Sequence, residues 1–251
     1  MEDKLFDTPE SRCYHYVNSD IMVLNNELRA FLSSRGADMV GFADLGEIPA
    51  NIRRSLPFGI SIGVALDPEI IREISDGPTR RYYDEYVRVN NLLDTLGRST
   101  VEFLKRNGCE AISLSATYGE NPATLSTPLP HKTVATRAGL GWIGKCALLV
   151  TREYGSALRV TSVLTDAELD VGQPVNDSMC GECIACVTAC PAHAPSGKHW
   201  QRDVPRDSFY NAFACRSTSR ELAMKRIGIR EAICGICISV CPWTKKYIEK
   251  L

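Results

Sequence analysis

The sequence lacks any apolar run long enough to cross a membrane, which takes about 20 consecutive residues. Residues 1–16, MEDKLFDTPESRCYHY, contain neither the apolar segment of a secretory signal nor a pair of arginines. The formal net charge is −1, so there is no overall electrostatic attraction to nucleic acid or to an anionic membrane. We therefore expect a cytoplasmic protein with no membrane partner.

The chain has eleven cysteines. Disulfides are rare in the reducing cytoplasm, which argues against a disulfide scaffold. Cys13, Cys109 and Cys146 are scattered, whereas all the others lie between residues 180 and 241. Cysteines clustered in this way in a reducing compartment indicate a metal site.

The first cysteine set has the spacing C-x2-C-x2-C-x3-C-P, formed by Cys180, Cys183, Cys186, Cys190 and Pro191. This is the run of bacterial ferredoxins, in which three cysteines bind one [4Fe–4S] cluster and the fourth binds the other. Zinc sites favour paired C-x2-C knuckles rather than this triple run. The spacing therefore predicts iron–sulfur clusters.

The second set ends in C-x2-C-x3-C-P, and its first cysteine, Cys215, is displaced upstream. The same crossed assignment predicts two ligand groups. Cluster one would be bound by Cys180, Cys183, Cys186 and Cys241. Cluster two would be bound by Cys190, Cys215, Cys234 and Cys237. The two groups use every cysteine in the region, which predicts two [4Fe–4S] clusters.

The part of the chain before the cysteines alternates helical and strand patterns. Apolar spacing predicts helices over 20–36, 82–107 and 131–138. Apolar runs predict strands over 37–45, 60–66, 110–115, 147–151 and 158–164. Residues 116–130 form a loop too long for a simple connector. We predict an α+β fold with an α/β sandwich over residues 1–170 and a ferredoxin-like module over 171–251.

Residues 139–146, GLGWIGKC, resemble two nucleotide-binding motifs, but the context does not fit either. A dinucleotide fingerprint needs a strand before the glycines and a helix after them, and the predicted order here is reversed. A phosphate-binding loop needs Ser or Thr where this chain has Cys146. Two interpretations are left: a close backbone approach to a flat ligand, or a tight turn.

The segment HKTVATRAGLGWIGKCALLV, followed by the first cysteine run and then by FACRS and CGICISVCPW, resembles epoxyqueuosine reductases. The same layout occurs in reductive dehalogenases, so the chain is similar to that wider group. The resemblance is strong over residues 130–244. It implies a nitroreductase-like domain that binds a corrinoid (cobalamin), next to a two-cluster module that supplies electrons for a two-electron reduction.

The resemblance also implies site residues. The corrinoid would lie against Gly139, Leu140, Gly141, Trp142, Gly144 and Lys145. The group's proposed general acid is an aspartate, and this chain has Leu125 at that position. His131 and Tyr118 are the candidate proton donors in its place. Because the sequence stops at Leu251, before the helical repeats of epoxyqueuosine reductases, we expect tRNA not to be a partner.

The leading functional hypothesis is an oxidoreductase that passes electrons from two clusters to a bound cobalamin and then to a small-molecule or corrinoid substrate. A low-potential ferredoxin or flavodoxin would be its electron donor. The alternative is an electron carrier or activator that reduces a corrinoid or flavin on a partner protein. The cysteines alone do not separate these hypotheses, although an α/β domain of this size is large for a docking surface.

Overall fold

We describe residues 18–117 and 120–250 of a computed structural model, with side chains from residue 21 onward. The helices are α1 (Asn18–Ser33), α2 (Pro68–Arg72), α3 (Arg80–Arg106), α4 (His131–Arg137), α5 (Ala185–Thr188), α6 (Ala212–Ile227), α7 (Ile236–Ser239) and α8 (Pro242–Ile248). The strands are β1 (Met39–Asp44), β2 (Phe58–Ala65), β3 (Ala111–Leu114), β4 (Trp142–Ile143), β5 (Leu149–Val150) and β6 (Leu158–Thr165). None of the helices in the described ranges is long and apolar enough to span a membrane.

Four strands form an antiparallel sheet in the order β1-β2-β6-β3. Successive side chains of a strand point to opposite faces, so each face has its own core. Phe42 and Val163 face α1 and α3, whereas their neighbours Ala43 and Leu164 face α4. The sheet therefore lies between two helical layers, as predicted for an α+β fold.

The long helix α3 illustrates how the sequence specifies these elements. The Thr79 hydroxyl accepts a hydrogen bond from the backbone N–H of Tyr82 and caps the helix. A buried stripe that includes Val89 and Leu93 packs against the sheet. Gly108, which has a φ of 78°, follows the helix and allows the chain to turn.

The cysteine module packs directly on the sheet layer. Each cysteine run contains a single-turn helix, α5 or α7, and is followed by Pro191 or Pro242. Ala223 and Ile238 of the module lie in the same buried cluster as Val89 of α3. The hydrophobic core is thus continuous across residue 170, and the domain boundary there stays a prediction.

The strand that we predicted over residues 147–151 is shorter in the structure. β5 pairs with β4, which lies inside the predicted tight turn, and Trp142 is opposite Val150. This two-stranded ribbon carries the glycine segment from α4 to the cysteine module. The predicted turn is therefore partly extended.

Candidate electron-transfer site and cleft

The four cysteines predicted to bind cluster two line one narrow cavity; they are Cys190, Cys215, Cys234 and Cys237. The thiol of Cys234 is close enough to those of Cys215 and Cys190 to interact with them electrostatically. Gly235, which has a φ of 91°, forms the turn between Cys234 and Cys237. Thiols from three separate segments of the chain thus converge as a cluster requires.

The cysteines predicted for cluster one are held around a second loop. Cys241 interacts electrostatically with Cys180, although Cys241 follows α7 at the far end of the module. The buried Lys145 ammonium donates to the carbonyl oxygens of Gly181 at 2.9 Å and Cys183 at 3.0 Å. The lysine charge is thus held against the first cysteine loop.

The two groups do not resemble a site for a single ion. Among residues 18–117 and 120–250, no three His, Cys, Asp or Glu side chains converge closely enough to hold one metal ion. A cubane cluster makes a different demand, because each of its irons takes its own thiolate.

The glycine turn contacts protein rather than open space. A Cβ on Gly141 would lie 2.2 Å from the Val150 carbonyl oxygen, so glycine is required there by the ribbon itself. The buried Trp142 ring meets the Trp243 ring edge-on at 5.3 Å, and its Nε1 has no hydrogen-bond partner among the described residues. The predicted corrinoid contacts of Gly139, Leu140, Gly141, Trp142, Gly144 and Lys145 stay a prediction, because none of these residues lines the cleft described next.

The cleft consists of three adjoining cavities of about 610, 550 and 470 Å³, all lined by Glu120 and Lys132. Each has the size of a small-ligand site. They lie between α4, the loop that precedes it, and the cysteine module. Together they offer space for a ligand much larger than an ordinary metabolite.

A thin wall separates the cleft from the cavity of cluster two. The same four residues line both spaces: Cys146, Tyr210, Cys215 and Ser219. Burial is the main cause that raises the pKa of Tyr210, and the nearby Cys215 raises it further. Cys215 is the predicted cluster ligand that lines the cleft.

His131 lines the largest cavity, but both of its ring nitrogens are engaged. Nε2 donates to the Ser115 carbonyl oxygen at 2.9 Å, and Nδ1 lies 3.0 Å from the Ser162 hydroxyl. Burial lowers the pKa of His131, so the ring is neutral at pH 7. This geometry makes His131 a poor proton donor. Tyr118, the other candidate, lies outside the described residues.

Lys132 is a better-placed proton donor that the sequence analysis missed. Its Nζ donates to the Ala147 carbonyl oxygen at 2.7 Å, and the residue lines all three cavities. Burial, helped by the nearby Arg206 charge, lowers the pKa of Lys132 to about 8. In the sequence this lysine looks like an ordinary residue of a short helix, and only its place beside His131 could have drawn attention to it.

The loop over the cleft is tied to the cysteine module by two arginines. Arg206 donates to the carbonyl oxygens of Thr124 and Leu125, each at 2.6 Å. Arg216 of α6 forms an ion pair with Glu120. These contacts bring the loop, the module and Lys132 around one space.

Comparison with known proteins agrees with the cysteine spacing. Residues 179–244 match the family model of the 4Fe-4S double cluster binding domain. Epoxyqueuosine reductase from Salmonella typhimurium is 33% identical over 142 residues, which cover 57% of this chain and 36% of that protein. The predicted resemblance and the double-cluster domain are confirmed. The chain spans about a third of the length of this relative.

Two solved structures share the fold. An epoxyqueuosine reductase with an epoxyqueuosine-modified tRNA stem loop has a TM-score of 0.58 and 23% identity, covering 90% of this chain and 66% of that one. A reductive dehalogenase described with B12-dependent dehalogenation has a TM-score of 0.64 and 16% identity, covering 86% and 31%. The expectation that tRNA is not a partner gains no support from these proteins.

Proposed function

We propose that this chain is an iron–sulfur oxidoreductase that collects two electrons on two [4Fe–4S] clusters and delivers them to the cleft beside Lys132. The observation that carries the proposal is the position of Cys215, which lines both the cluster-two cavity and the cleft. A cluster bound through that thiol would lie next to any acceptor in the cleft. Cluster two is then the exit for electrons, and cluster one feeds it.

The proposed ligands of cluster one are Cys180, Cys183, Cys186 and Cys241, and those of cluster two are Cys190, Cys215, Cys234 and Cys237. The cavity shared by the cluster-two cysteines and the proximity of Cys241 to Cys180 support this assignment. A [4Fe–4S] cluster of this type passes one electron at a time. Two clusters therefore match the demand of a two-electron reduction.

The proposed cofactor in the cleft is a corrinoid, held by a sheet layer of the nitroreductase-like type. The size of the cleft and the likeness to a reductive dehalogenase support this choice. Arg216, Arg220 and Arg230 line its smallest cavity, where they would bind an anionic group such as a phosphodiester. A bound corrinoid would supply a cobalt centre for reduction.

The proposed reaction is the reduction of an epoxide, with a modified nucleoside of tRNA as the first substrate to test. The names of the relatives suggest this class. Conversion of an epoxide to an alkene consumes two electrons and two protons and releases water. The clusters supply the electrons, and we assign one proton to Lys132, which lines all three cavities of the cleft.

Anaerobic reconstitution with iron, sulfide and hydroxocobalamin tests the proposal. After desalting, we expect about eight iron and eight sulfide per chain, together with stoichiometric corrinoid. A value of about four iron would contradict the two-cluster assignment. Iron–sulfur absorption without retained corrinoid would overturn the cofactor proposal.

The loaded protein should then be given an epoxyqueuosine-modified tRNA stem loop and a low-potential ferredoxin or flavodoxin. Loss of the epoxide supports the reductase. If the stem loop is unchanged while a corrinoid or flavin on a partner protein is reduced, the electron-carrier alternative is correct instead.

A further inference from the structure

Cys146 is a buried cysteine that belongs to neither predicted ligand set. It is the last residue of the segment GLGWIGKC and precedes β5. Eight other cysteines already satisfy two clusters. A ninth thiol at the cluster sites therefore calls for another explanation.

The contacts of Cys146 join both cluster sites. Its thiol is close enough to Cys186 of the first set and to Cys237 of the second to interact with both. A Cβ on Gly144 would lie 3.5 Å from the Cys146 sulfur and 3.7 Å from the Cys180 sulfur. Both sulfurs therefore lie close to Gly144.

Cys146 also lines the cavity formed by all four predicted ligands of cluster two. The same residue borders the cleft. Its thiol is thus placed at the face of cluster two from which electrons would leave. A thiol has one hydrogen to donate, and the sulfurs of an iron–sulfur cluster are acceptors.

We propose that Cys146 is a positioning residue that donates an S–H···S hydrogen bond to cluster two and raises its reduction potential. Hydrogen bonds to cluster sulfurs stabilise the more negative, reduced state. A higher potential at cluster two than at cluster one would draw electrons from the buried module toward the cleft. This inference rests on the proposed two-cluster function and adds a direction of electron flow to it.

The test is an anaerobic redox titration of the reconstituted full chain, followed by electron paramagnetic resonance. Cys146→Ala should shift the midpoint potential of cluster two to a more negative value, with about eight iron retained. Cys146→Ser keeps a donor and should restore the potential at least partly. Cys215→Ser identifies the signal of cluster two, since it alters one of that cluster's ligands.

Cys109→Ala is the matched control, because Cys109 is also buried but lies in the turn after α3. It should leave both potentials unchanged. The inference is overturned if Cys146→Ala shifts neither potential, shifts only cluster one, or lowers the iron content to about four, as expected of a ligand. If the unsubstituted chain itself holds no clusters, the proposed function fails first, so the two failures are distinguishable.

Discussion

The Arg206 guanidinium, in the cysteine module, donates a hydrogen bond to the Leu125 carbonyl oxygen over 2.6 Å. Leu125 has a φ of 51°, in the left-handed region that costs a non-glycine residue about 1–3 kcal/mol. A second bond from Arg206 to the Thr124 carbonyl oxygen fixes the same turn. The module thus holds the loop over the cleft in a conformation that the loop would not adopt by itself.

Arg206→Gln should weaken ligand binding in the cleft without removing the clusters. Two lost hydrogen bonds, at about 1 kcal/mol each, correspond to a roughly tenfold or greater rise in Kd. Titration of the reconstituted protein with hydroxocobalamin measures the effect, and iron analysis checks the clusters. Arg202→Gln is the control, because Arg202 pairs with the exposed Glu47 and Asp203 and not with the loop among the described residues. Equal losses in both variants would contradict the role of Arg206.

Leu125→Asp should increase the rate of substrate reduction. It places a carboxyl group where the resembling reductases have their proposed general acid, on a loop beside the cleft. Asp also tolerates a positive φ better than Leu, so the fold should not suffer. Leu125→Asn, which has the same shape but no acidic proton, is the matched control. Single-turnover rates that are the same for Asp and Asn would refute a role for the added acid.

We expect turnover to fall as the pH rises through about 8, because burial and the Arg206 charge lower the pKa of Lys132 to that value. Above that pH the amine has lost the proton that it is proposed to donate. Lys132→Arg should move the fall to higher pH, because guanidinium keeps its proton. Lys132→Met should remove the fall near pH 8 from the plot of turnover against pH. If turnover still falls near pH 8 in Lys132→Met, the fall belongs to another titrating group and Lys132 is not the proton donor.

The same lysine predicts a change in stability that does not depend on activity. Its pKa is about 8 in the folded chain and 10.5 in the reference state, so the unfolded chain binds more protons between those values. The contribution of Lys132 to the free energy of unfolding should therefore rise as the pH increases from about 8 to 10.5. Denaturant unfolding of the native chain and of Lys132→Met, compared over this range, measures that difference. Parallel curves would contradict the lowered pKa.

The cluster spacing made the cysteine module predictable from sequence, because ligand reach dictates C-x2-C-x2-C-x3-C-P. The helix and strand patterns also located α1, α3 and β6, whose apolar spacing is long and regular. Cys215 could be assigned to cluster two because it completes the second set of four cysteine ligands. Its position in the wall of the cleft could not be predicted, because that depends on how α6 packs against the core.

The environments of single polar residues were less predictable. His131 looked like a candidate acid by residue type, but its contacts with Ser115 and Ser162 come from strands distant in sequence. Lys145 looked like a ligand-binding residue of a glycine turn, yet it contacts the first cysteine loop. Both outcomes depend on tertiary contacts that local patterns do not encode.

Gly155→Ala should destabilise the docking of α8 and with it cluster one. Gly155 has a φ of 58°, and an added Cβ would lie 2.2 Å from the Thr244 backbone nitrogen, close to Cys241. Loss of about four of eight iron atoms and a lower melting temperature are expected. Gly228→Ala is the control: its φ is 72° but nothing lies within 4 Å, so it adds backbone strain alone. Full iron retention in Gly155→Ala would contradict the predicted clash.

The central claim is that electrons leave through cluster two, beside Cys215, and enter the cleft. The most direct measurement is the rate at which reduced, reconstituted protein transfers electrons to corrinoid bound in the cleft, followed by stopped-flow absorption. Cys215→Ser should still bind corrinoid and keep cluster one, but its transfer rate should fall by orders of magnitude. Transfer at the unsubstituted rate in Cys215→Ser would contradict the account.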